Sequence, residues 1–257
     1  MTTPAIPAAT LVVMRERVGA PPELLMVERT ASMAFAGGAM VFPGGRIDDE
    51  DRELAASFPD PDAPFRVAAI RETLEESGIP VGIDPLPSVD FAAQLQDDLH
   101  AGSRFAELLE SHGLSLRLDA LTPFARWKPA FHQSRIFDTI FFIAEAPSGA
   151  WEPRPQEGEC ENVEWLGARE VLDRVASGEA SAIFPTVRNL ERLAQFDSIG
   201  AARADATAHR METITPWIAD HDGEPYLFIP EGLGYPVTRE PLASVRRGVG
   251  EGIFPAA

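Results

Sequence analysis

This sequence has very little of two residues that define whole classes of protein. Of its 257 residues only Cys160 is a cysteine, which excludes an intramolecular disulfide and a cysteine-rich metal site. Lys128 is the only lysine, so arginine supplies nearly all of the positive charge, and the formal net charge is −18. A nucleic-acid-binding surface needs clustered basic residues. We therefore expect no nucleic-acid partner.

Long apolar runs are also missing. No stretch approaches the ~18 consecutive apolar residues of a transmembrane helix, so no membrane partner is expected. Residues 1–10 do not combine a charged start with an apolar core, as a secretory signal does. Together with the single cysteine, these features favour a cytoplasmic location. The hydrophobic content of 45% and the length suit one substantial domain with an extension.

Residues 66–78 carry the strongest chemical signal. Three apolar residues there recur at helical spacing, and three glutamates fall on nearly the opposite face: Val67, Ile70 and Leu74, and Glu72, Glu75 and Glu76. Asp62 is placed to cap the start, and Gly78 is a natural stop. Like charges at these spacings repel by a few tenths of a kcal/mol per pair, unless a hard cation lies between them. The alternative interpretation is a solvated acidic helix face.

A turn, Phe42-Pro43-Gly44-Gly45, precedes this helix. Its two glycines permit a close approach of backbone amides or carbonyls to a metal ion or a phosphate group. By itself the turn would be unremarkable in any fold. Followed by the three glutamates, it indicates a metal-dependent hydrolase of diphosphates.

The turn and the helix together resemble the signature of the Nudix hydrolase family. Gly45 matches the opening glycine, and residues 71–79 match the second half, from Arg-Glu through Glu-Glu to Gly and an apolar residue. Asp51, six residues after Gly45, stands where the family has a glutamate, and about a dozen extra residues separate it from Arg71. Thr73 occupies a position that is usually aliphatic.

This resemblance implies an α+β fold, a Nudix-type α/β/α sandwich with a mixed β-sheet, over residues 8–196. It implies hydrolysis of a diphosphate linkage with Mg²⁺ or Mn²⁺ as cofactor. The implied metal ligands are Glu72, Glu75, Glu76 and the Gly45 carbonyl. Arg71 would pair with members of this cluster and orient them, and the general base stays open between Glu75, Glu161 and Glu72.

A second stretch is similar to the coenzyme A diphosphatase branch of the family. Gly38 and Arg29 match a glycine and the first arginine of that branch's motif, whereas Ala34 replaces its second arginine. The segment 135–139 is similar to another part of the branch. The resemblance implies a small-molecule nucleoside-diphosphate substrate, with coenzyme A or an acyl-coenzyme A as first choice. The candidate substrate contacts are Arg29, Arg126, Arg135, Gly38 and Gly44.

Other functions remain open from the sequence. The substrate could instead be ADP-ribose, a nucleotide sugar or a dinucleotide. A different class is a non-catalytic Nudix regulatory module that binds a ligand, although no basic recognition helix is visible. Isomerisation of a prenyl diphosphate would need an active-site cysteine, and Cys160 lies in an acidic segment. A homodimer is also left open.

The pattern of apolar residues predicts strands at 10–15, 24–29, 39–42, 121–128 and 139–144. It predicts a two-helix insert at about 84–113, which would form either a wall of the substrate cleft or a surface addition. Closing helices are expected at 167–178 and 185–196. The C-terminal extension, 197–257, is expected to contain a helix at 199–209 and a hairpin whose strands, 213–219 and 225–229, flank 220–223.

Overall fold

The computed structural model describes residues 4–31, 36–129 and 136–248. The first half of the chain forms the first six strands and the helices on one side of the sheet. In chain order these elements are β1 (Ile6–Arg17), β2 (Ala20–Arg29), β3 (Met40–Val41), β4 (Gly44–Arg46), α1 (Asp49–Ala55), α2 (Ala63–Ser77), β5 (Ile83–Asp84), α3 (Val89–His100), α4 (Phe105–Ser111) and β6 (Ser115–Leu116).

The second half completes the sheet and covers its other side. After a short 3-10 turn at Leu118–Ala120 come β7 (Thr122–Trp127), β8 (Phe137–Glu145), β9 (Cys160–Gly167), α5 (Ala168–Ser177), α6 (Phe184–Leu193), α7 (Ile199–Ala208), β10 (Thr213–Ile214), β11 (Trp217–His221), β12 (Glu224–Phe228), β13 (Arg239–Pro241) and α8 (Leu242–Gly248). Apart from the strand expected at 213–219, the predicted strands and helices are confirmed, with ends that differ by a few residues.

The main sheet is mixed, as predicted. Its strands follow the order β10, β7, β8, β1, β2, with β9 along the far edge of β2. β1 runs parallel to β8 and β10 runs parallel to β7, whereas the other pairs are antiparallel. β1 and β2 pair at one end and separate at the other, where β3 pairs with β2 and β4 pairs with β1.

Helices cover both faces of this sheet. Alternate residues of a strand face opposite sides, so Leu11 and Val13 of β1 join one apolar core while Val12 and Met14 join the other. The first core packs beneath α2, α3 and α4, and the second beneath α5, α6 and α7. The fold is the predicted α/β/α sandwich.

The insert and the extension are only partly as expected. The insert is helical, but among the described residues that line the cleft none comes from 84–113. In the extension, β11 and β12 form the expected hairpin around the turn at Asp222 and Gly223. Thr213 and Ile214, predicted to begin that hairpin, instead form β10 and join the edge of the main sheet. A short edge pairing of two residues has no periodicity that a sequence pattern can reveal.

Candidate active site

The glycine turn lies inside the split between β1 and β2. The Leu11 amide donates to the Pro43 carbonyl (2.9 Å), and the backbone of β4 continues the pairing at Thr10 and Ala9. Pro43 removes no donor that the sheet needs, because it lies between the two short strands. The sheet therefore holds the turn by backbone hydrogen bonds rather than leaving it as a surface loop.

Helix α2 lies against this turn. Pro64 occupies its first turn, and Gly78, with φ +71°, ends it as expected. Asp62 is the residue before the helix, but its side chain makes no capping hydrogen bond, contrary to the prediction. Thr73 is buried, and its hydroxyl donates to the Ala69 carbonyl (2.7 Å), which explains why a polar residue is tolerated at an aliphatic position.

Glu72 and Glu76 contact the glycine turn, and none of the three glutamates is largely exposed, which argues against the alternative of a solvated acidic face. The exposed fraction of the side chain is 16% for Glu72, 24% for Glu75 and 4% for Glu76. The helical periodicity shows only that the three glutamates lie on the side of α2 opposite its apolar residues. Here β4 and the turn cover that side of α2, and sequence periodicity cannot show what packs there.

Both glycines of the turn are required by close contacts. A Cβ atom on Gly45 would lie 2.4 Å from the Glu72 carboxylate carbon, and one on Gly44 would lie 2.3 Å from the Ala9 carbonyl oxygen. The Gly44 amide donates to Glu76 Oε2 at 2.9 Å. The missing side chain at Gly45 therefore leaves room for the Glu72 carboxylate, and the Gly44 amide donates to the Glu76 carboxylate.

Arg71 ties the carboxylates together. Its guanidinium makes two hydrogen bonds to the buried Asp51, at 2.8 and 2.9 Å, and also donates to Glu72 (2.9 Å) and Glu75 (3.1 Å). Burial alone would lower the pKa of Arg71, but these carboxylates outweigh burial and raise it. Asp51 also accepts the Asp48 amide at the start of α1 (2.9 Å), so α1 supplies the anchor for this arginine.

Two of the carboxylates are held where ionisation is unfavourable. Burial raises the pKa of Glu72, and the charge of Glu75 adds to the effect, although Arg71 opposes it. Burial also raises the pKa of Glu76, as does the charge of Glu72, whereas the Gly44 amide and Arg29 lower it. Carboxylates with raised pKa values in a cleft are characteristic of functional sites.

The carboxylates of the site outnumber its guanidinium groups. Asp51 and the three glutamates of α2 face only Arg71 and Arg29 among the arginines of the cluster, and Arg29 lies 3.7 Å from Glu76. Fully ionised, this set has two negative charges in excess. Within the three described ranges, however, no three acidic, histidine or cysteine side chains converge closely enough to hold an ion between them.

The carboxylates form one end of a cleft of about 740 Å³. The acidic end is lined by Gly44, Gly45, Arg71 and the three glutamates of α2, with Arg29 beside them. The remaining walls are largely apolar and aromatic, and they include Phe42, Trp127, Phe137, Phe141, Ile183 and Phe184. The cleft can therefore receive a molecule with an anionic part and a large apolar or aromatic part.

The other predicted site residues are placed differently. Glu161 is exposed on β9, does not line the cleft, and accepts a hydrogen bond from the Ala31 amide (3.3 Å). Arg126 is engaged by Asp138 through two hydrogen bonds of 2.7 and 2.9 Å. Gly38 also lies outside the cleft lining, and its carbonyl accepts from Ser181 (3.0 Å). Arg135, like Ala34, lies outside the described residues.

Sequence reasoning did not assign two acidic residues, Asp51 and Glu159, to the site. Asp51 was compared with the family's first glutamate, but its buried carboxylate is the main partner of Arg71. Glu159, just before β9, lines the cleft and raises the pKa of Glu76 through its charge. The run of alternating acidic residues at 157–161 was a usable signal, but it could not show which member turns inward.

Comparison with known proteins identifies this arrangement. The sequence profile of the Nudix domain matches residues 5–186. A crystal structure of a Nudix hydrolase from Alicyclobacillus acidocaldarius superposes with a TM-score of 0.69 at 31% identity, covering 79% of this chain and 97% of that one. This chain belongs to the Nudix family and is a Nudix hydrolase.

Curated relatives are more distant. The chain is 24% identical to the acyl-coenzyme A diphosphatase NUDT19 of Gallus gallus over 76% of its own length and 67% of the length of that protein. It is 26% identical to a putative Nudix hydrolase 7 of Caenorhabditis elegans, covering 67% of this chain and 56% of the relative. The chain thus spans between about half and two-thirds of these relatives.

Proposed function

We propose that this Nudix hydrolase cleaves the diphosphate linkage of coenzyme A or an acyl-coenzyme A with the help of Mg²⁺ or Mn²⁺. The observation that carries the proposal is the cluster of Glu72, Glu75 and Glu76 against the glycine turn, at one end of a cleft whose other walls are aromatic and apolar. The similarity to the NUDT19 acyl-coenzyme A diphosphatase of Gallus gallus supports the choice of substrate.

The chemistry of the donors, though not their present separation, suits a hard divalent cation. The donors are oxygen atoms, the surrounding set of four carboxylates and two guanidinium groups has an excess of two negative charges, and Gly45 lacks the side chain that would displace Glu72. Glu72, Glu75, Glu76 and the Gly45 carbonyl would hold the ion. Bound there, it would polarise the diphosphate and lower the pKa of a water molecule.

The chain's own residues then have separate roles. Arg71 keeps Glu72 and Glu75 in fixed orientations by linking both to Asp51. We assign the general base to Glu75, because it is the most accessible of the three glutamates and lines the cleft. The Glu72 side chain is less exposed than that of Glu75, and Glu161 does not line the cleft.

Arg29 is the best-placed contact for a substrate phosphate. It lines the cleft beside Glu76, 3.7 Å from that carboxylate. A guanidinium group that faces a cleft suits a phosphate oxygen. Arg126 is less suitable, because Asp138 occupies its guanidinium. Gly44 presents backbone to the same end of the cleft, whereas Gly38 supports the loop outside it.

A substrate comparison tests this assignment. The purified chain is incubated with Mg²⁺ and coenzyme A, an acyl-coenzyme A, dephospho-coenzyme A, ADP-ribose or a diadenosine polyphosphate, and products are identified by mass spectrometry. We expect phosphopantetheine, or its acyl form, and adenosine 3′,5′-bisphosphate. Rapid cleavage of ADP-ribose with coenzyme A untouched would exclude the coenzyme A assignment while retaining diphosphate hydrolysis.

The metal requirement is tested separately. Exhaustive chelation should abolish hydrolysis, and Mg²⁺ or Mn²⁺ should restore it, whereas Ca²⁺ should restore little because it is larger and accepts looser coordination. Activity that persists after chelation would rule out the metal-dependent chemistry. The melting temperature measured in parallel shows whether chelation acts on the chemistry or on the fold.

A further inference from the structure

The last turn of α2 has backbone carbonyls that the helix itself cannot satisfy. Glu75 lies in this turn, and the residue four positions later, Ile79, donates its amide to the Ser77 hydroxyl (3.3 Å) instead. The Glu75 carbonyl therefore needs a donor from elsewhere. The position matters because Glu75 and Glu76 occupy this same turn.

The donors come from the helical insert, defined here as residues 84–113. The Gln96 side chain on α3 donates to the Glu75 carbonyl at 2.9 Å, and the His100 ring, with Nε2 protonated, donates to the same oxygen at 2.8 Å. The second hydrogen of the Gln96 amide is donated to the Arg154 carbonyl, also at 2.9 Å. Both Gln96 donors are thus used on the backbone of other segments.

Gln96 is fitted closely into this position. Its residue exposure is 0%, although it is a polar residue on a helix whose neighbouring Gln94 is exposed. A Cβ atom on Gly78 would lie 3.0 Å from Gln96 Oε1. Buried amides of this kind are retained where their hydrogen bonds are satisfied.

The segment after β8 completes the attachment. The Arg154 amide donates to the Ser77 carbonyl (2.8 Å), and the Arg154 side chain pairs with Asp97 of α3 (2.7 Å). Gln96 thus joins three segments: the end of α2, helix α3 and the chain at residue 154. The insert contacts the active site through the backbone of α2 and not through the cleft walls.

We propose that Gln96, assisted by His100, is a positioning residue for the diphosphate hydrolysis: it holds the last turn of α2 so that the Glu75 and Glu76 carboxylates keep their catalytic orientation. This inference rests on the proposed function. It assigns the insert a role in the reaction although the insert does not touch the substrate cleft. Groups that hydrogen-bond directly to metal ligands typically affect metal affinity or activity by roughly ten- to a hundredfold, and for Gln96, which acts through the backbone, we expect an effect near the lower end of that range.

The test compares Gln96→Leu with the matched control Gln94→Leu on the same helix. For both variants and the wild type, kcat and KM are measured with coenzyme A, and Mn²⁺ affinity is measured by calorimetry without substrate. We expect Gln96→Leu to lower kcat and weaken Mn²⁺ binding by roughly tenfold or more, with KM changed much less. The control should match the wild type in both measurements.

His100→Ala is the second variant, because His100 is exposed and its loss carries little risk to folding. It should lower kcat in the same direction as Gln96→Leu but by less, since Gln96 still donates to Glu75. Wild-type kcat and Mn²⁺ affinity in His100→Ala and in folded Gln96→Leu would overturn the positioning role. If the wild type itself neither binds Mn²⁺ nor cleaves a diphosphate, the proposed function fails instead, so the two failures are distinguishable.

Discussion

The Glu76 carboxylate is almost completely buried, and few polar groups replace the water that it has lost. One amide, from Gly44, donates to it, and the Arg29 guanidinium lies 3.7 Å away. A buried carboxylate with so few partners is unfavourable for stability and is more readily explained by function. The same is true of Glu72 to a lesser degree, because Arg71 donates to it directly.

Replacement of Glu76 should separate chemistry from stability. We expect Glu76→Gln to lower kcat by roughly a hundredfold or more, because loss of one charged ligand misplaces the reacting groups. The fold should be retained, since glutamine occupies the same volume and still accepts from Gly44. Turnover at saturating Mg²⁺ is measured together with a melting curve.

Glu161→Gln is the matched control for that substitution. Glu161 is exposed and outside the cleft, so its replacement should leave kcat within about twofold of the wild type. Near-normal turnover in Glu76→Gln would remove Glu76 from the metal site. A large loss in Glu161→Gln would return Glu161 to the list of candidate bases.

Cys160 is the first residue of β9 and is buried, although its neighbours Glu159 and Glu161 in the acidic segment are exposed. Burial raises the pKa of its thiol to about 12, and the charge of Glu76 contributes. We expect the native protein to react very slowly with a disulfide reagent at pH 8, because the thiolate is the reactive form. The same reagent should modify the chain quickly in urea. Fast modification of the native protein would show that Cys160 is accessible.

At the scale of elements, α6 and β13 are joined by one buried arginine. Arg188 donates to Glu191 on its own helix (3.0 Å) and to Glu240 on β13 (2.7 Å). Glu191 retains 20% side-chain exposure, and its Oε2 atom has no hydrogen-bond partner among the described residues. Two carboxylates thus compete for one guanidinium in a poorly hydrated position.

This competition predicts a pH dependence of stability. Burial raises the pKa of Glu191 from 4.5 to about 7; Arg188 opposes the shift and Glu240 adds to it. The folded chain therefore binds this proton more tightly than the unfolded chain does. The contribution to the free energy of unfolding is fully present below pH 4.5 and is lost as the pH rises through 7.

Glu191→Gln isolates that contribution. Between pH 5 and pH 8 the wild type should lose stability relative to the variant by on the order of 2–3 kcal/mol at most, because partial solvent contact weakens the effect. Urea unfolding at both pH values gives the difference. Equal losses in the two proteins would mean that Glu191 does not titrate in this range.

At the scale of the whole molecule, the second core extends beyond the Nudix profile match. Trp127 of β7, which lines the cleft, donates to the Tyr235 hydroxyl (3.0 Å), and that hydroxyl donates to Asn189 (2.7 Å). Tyr235 belongs to the C-terminal extension, and its ring meets Trp127 edge to face. The boundary expected at 196, between the Nudix domain and the C-terminal extension, stays a prediction.

Removing one hydroxyl tests this connection. Tyr235→Phe keeps the ring but leaves Trp127 and Asn189 with one partner fewer, so we expect a loss of about 1–2 kcal/mol in the free energy of unfolding. Urea denaturation measures it. Tyr226→Phe, a half-buried tyrosine on β12 outside this triad, serves as the control and should change stability by less. An unchanged midpoint in Tyr235→Phe would show that the hydroxyl contributes nothing to the fold.

Features encoded by residues that are close in the sequence could be predicted, whereas contacts between distant segments could not. Residues 71–79 and the glycine turn identified the family, because helical spacing places three carboxylates together and a short turn is encoded by its own residues. The strands and the insert helices followed from apolar periodicity for the same reason. These are properties of residues that are near each other along the chain.

Contacts between distant segments were decided only by tertiary structure. The sequence by itself determined the turn, the acidic helix and hence the family and its class of reaction. Which side of α2 is buried, which of the acidic residues near β9 lines the cleft, and which partner holds Arg71 depend on segments brought together by the sheet. Periodicity describes a face of one element, but the physical environment of that face is supplied by whatever packs on it, as Gln96 packs on the end of α2.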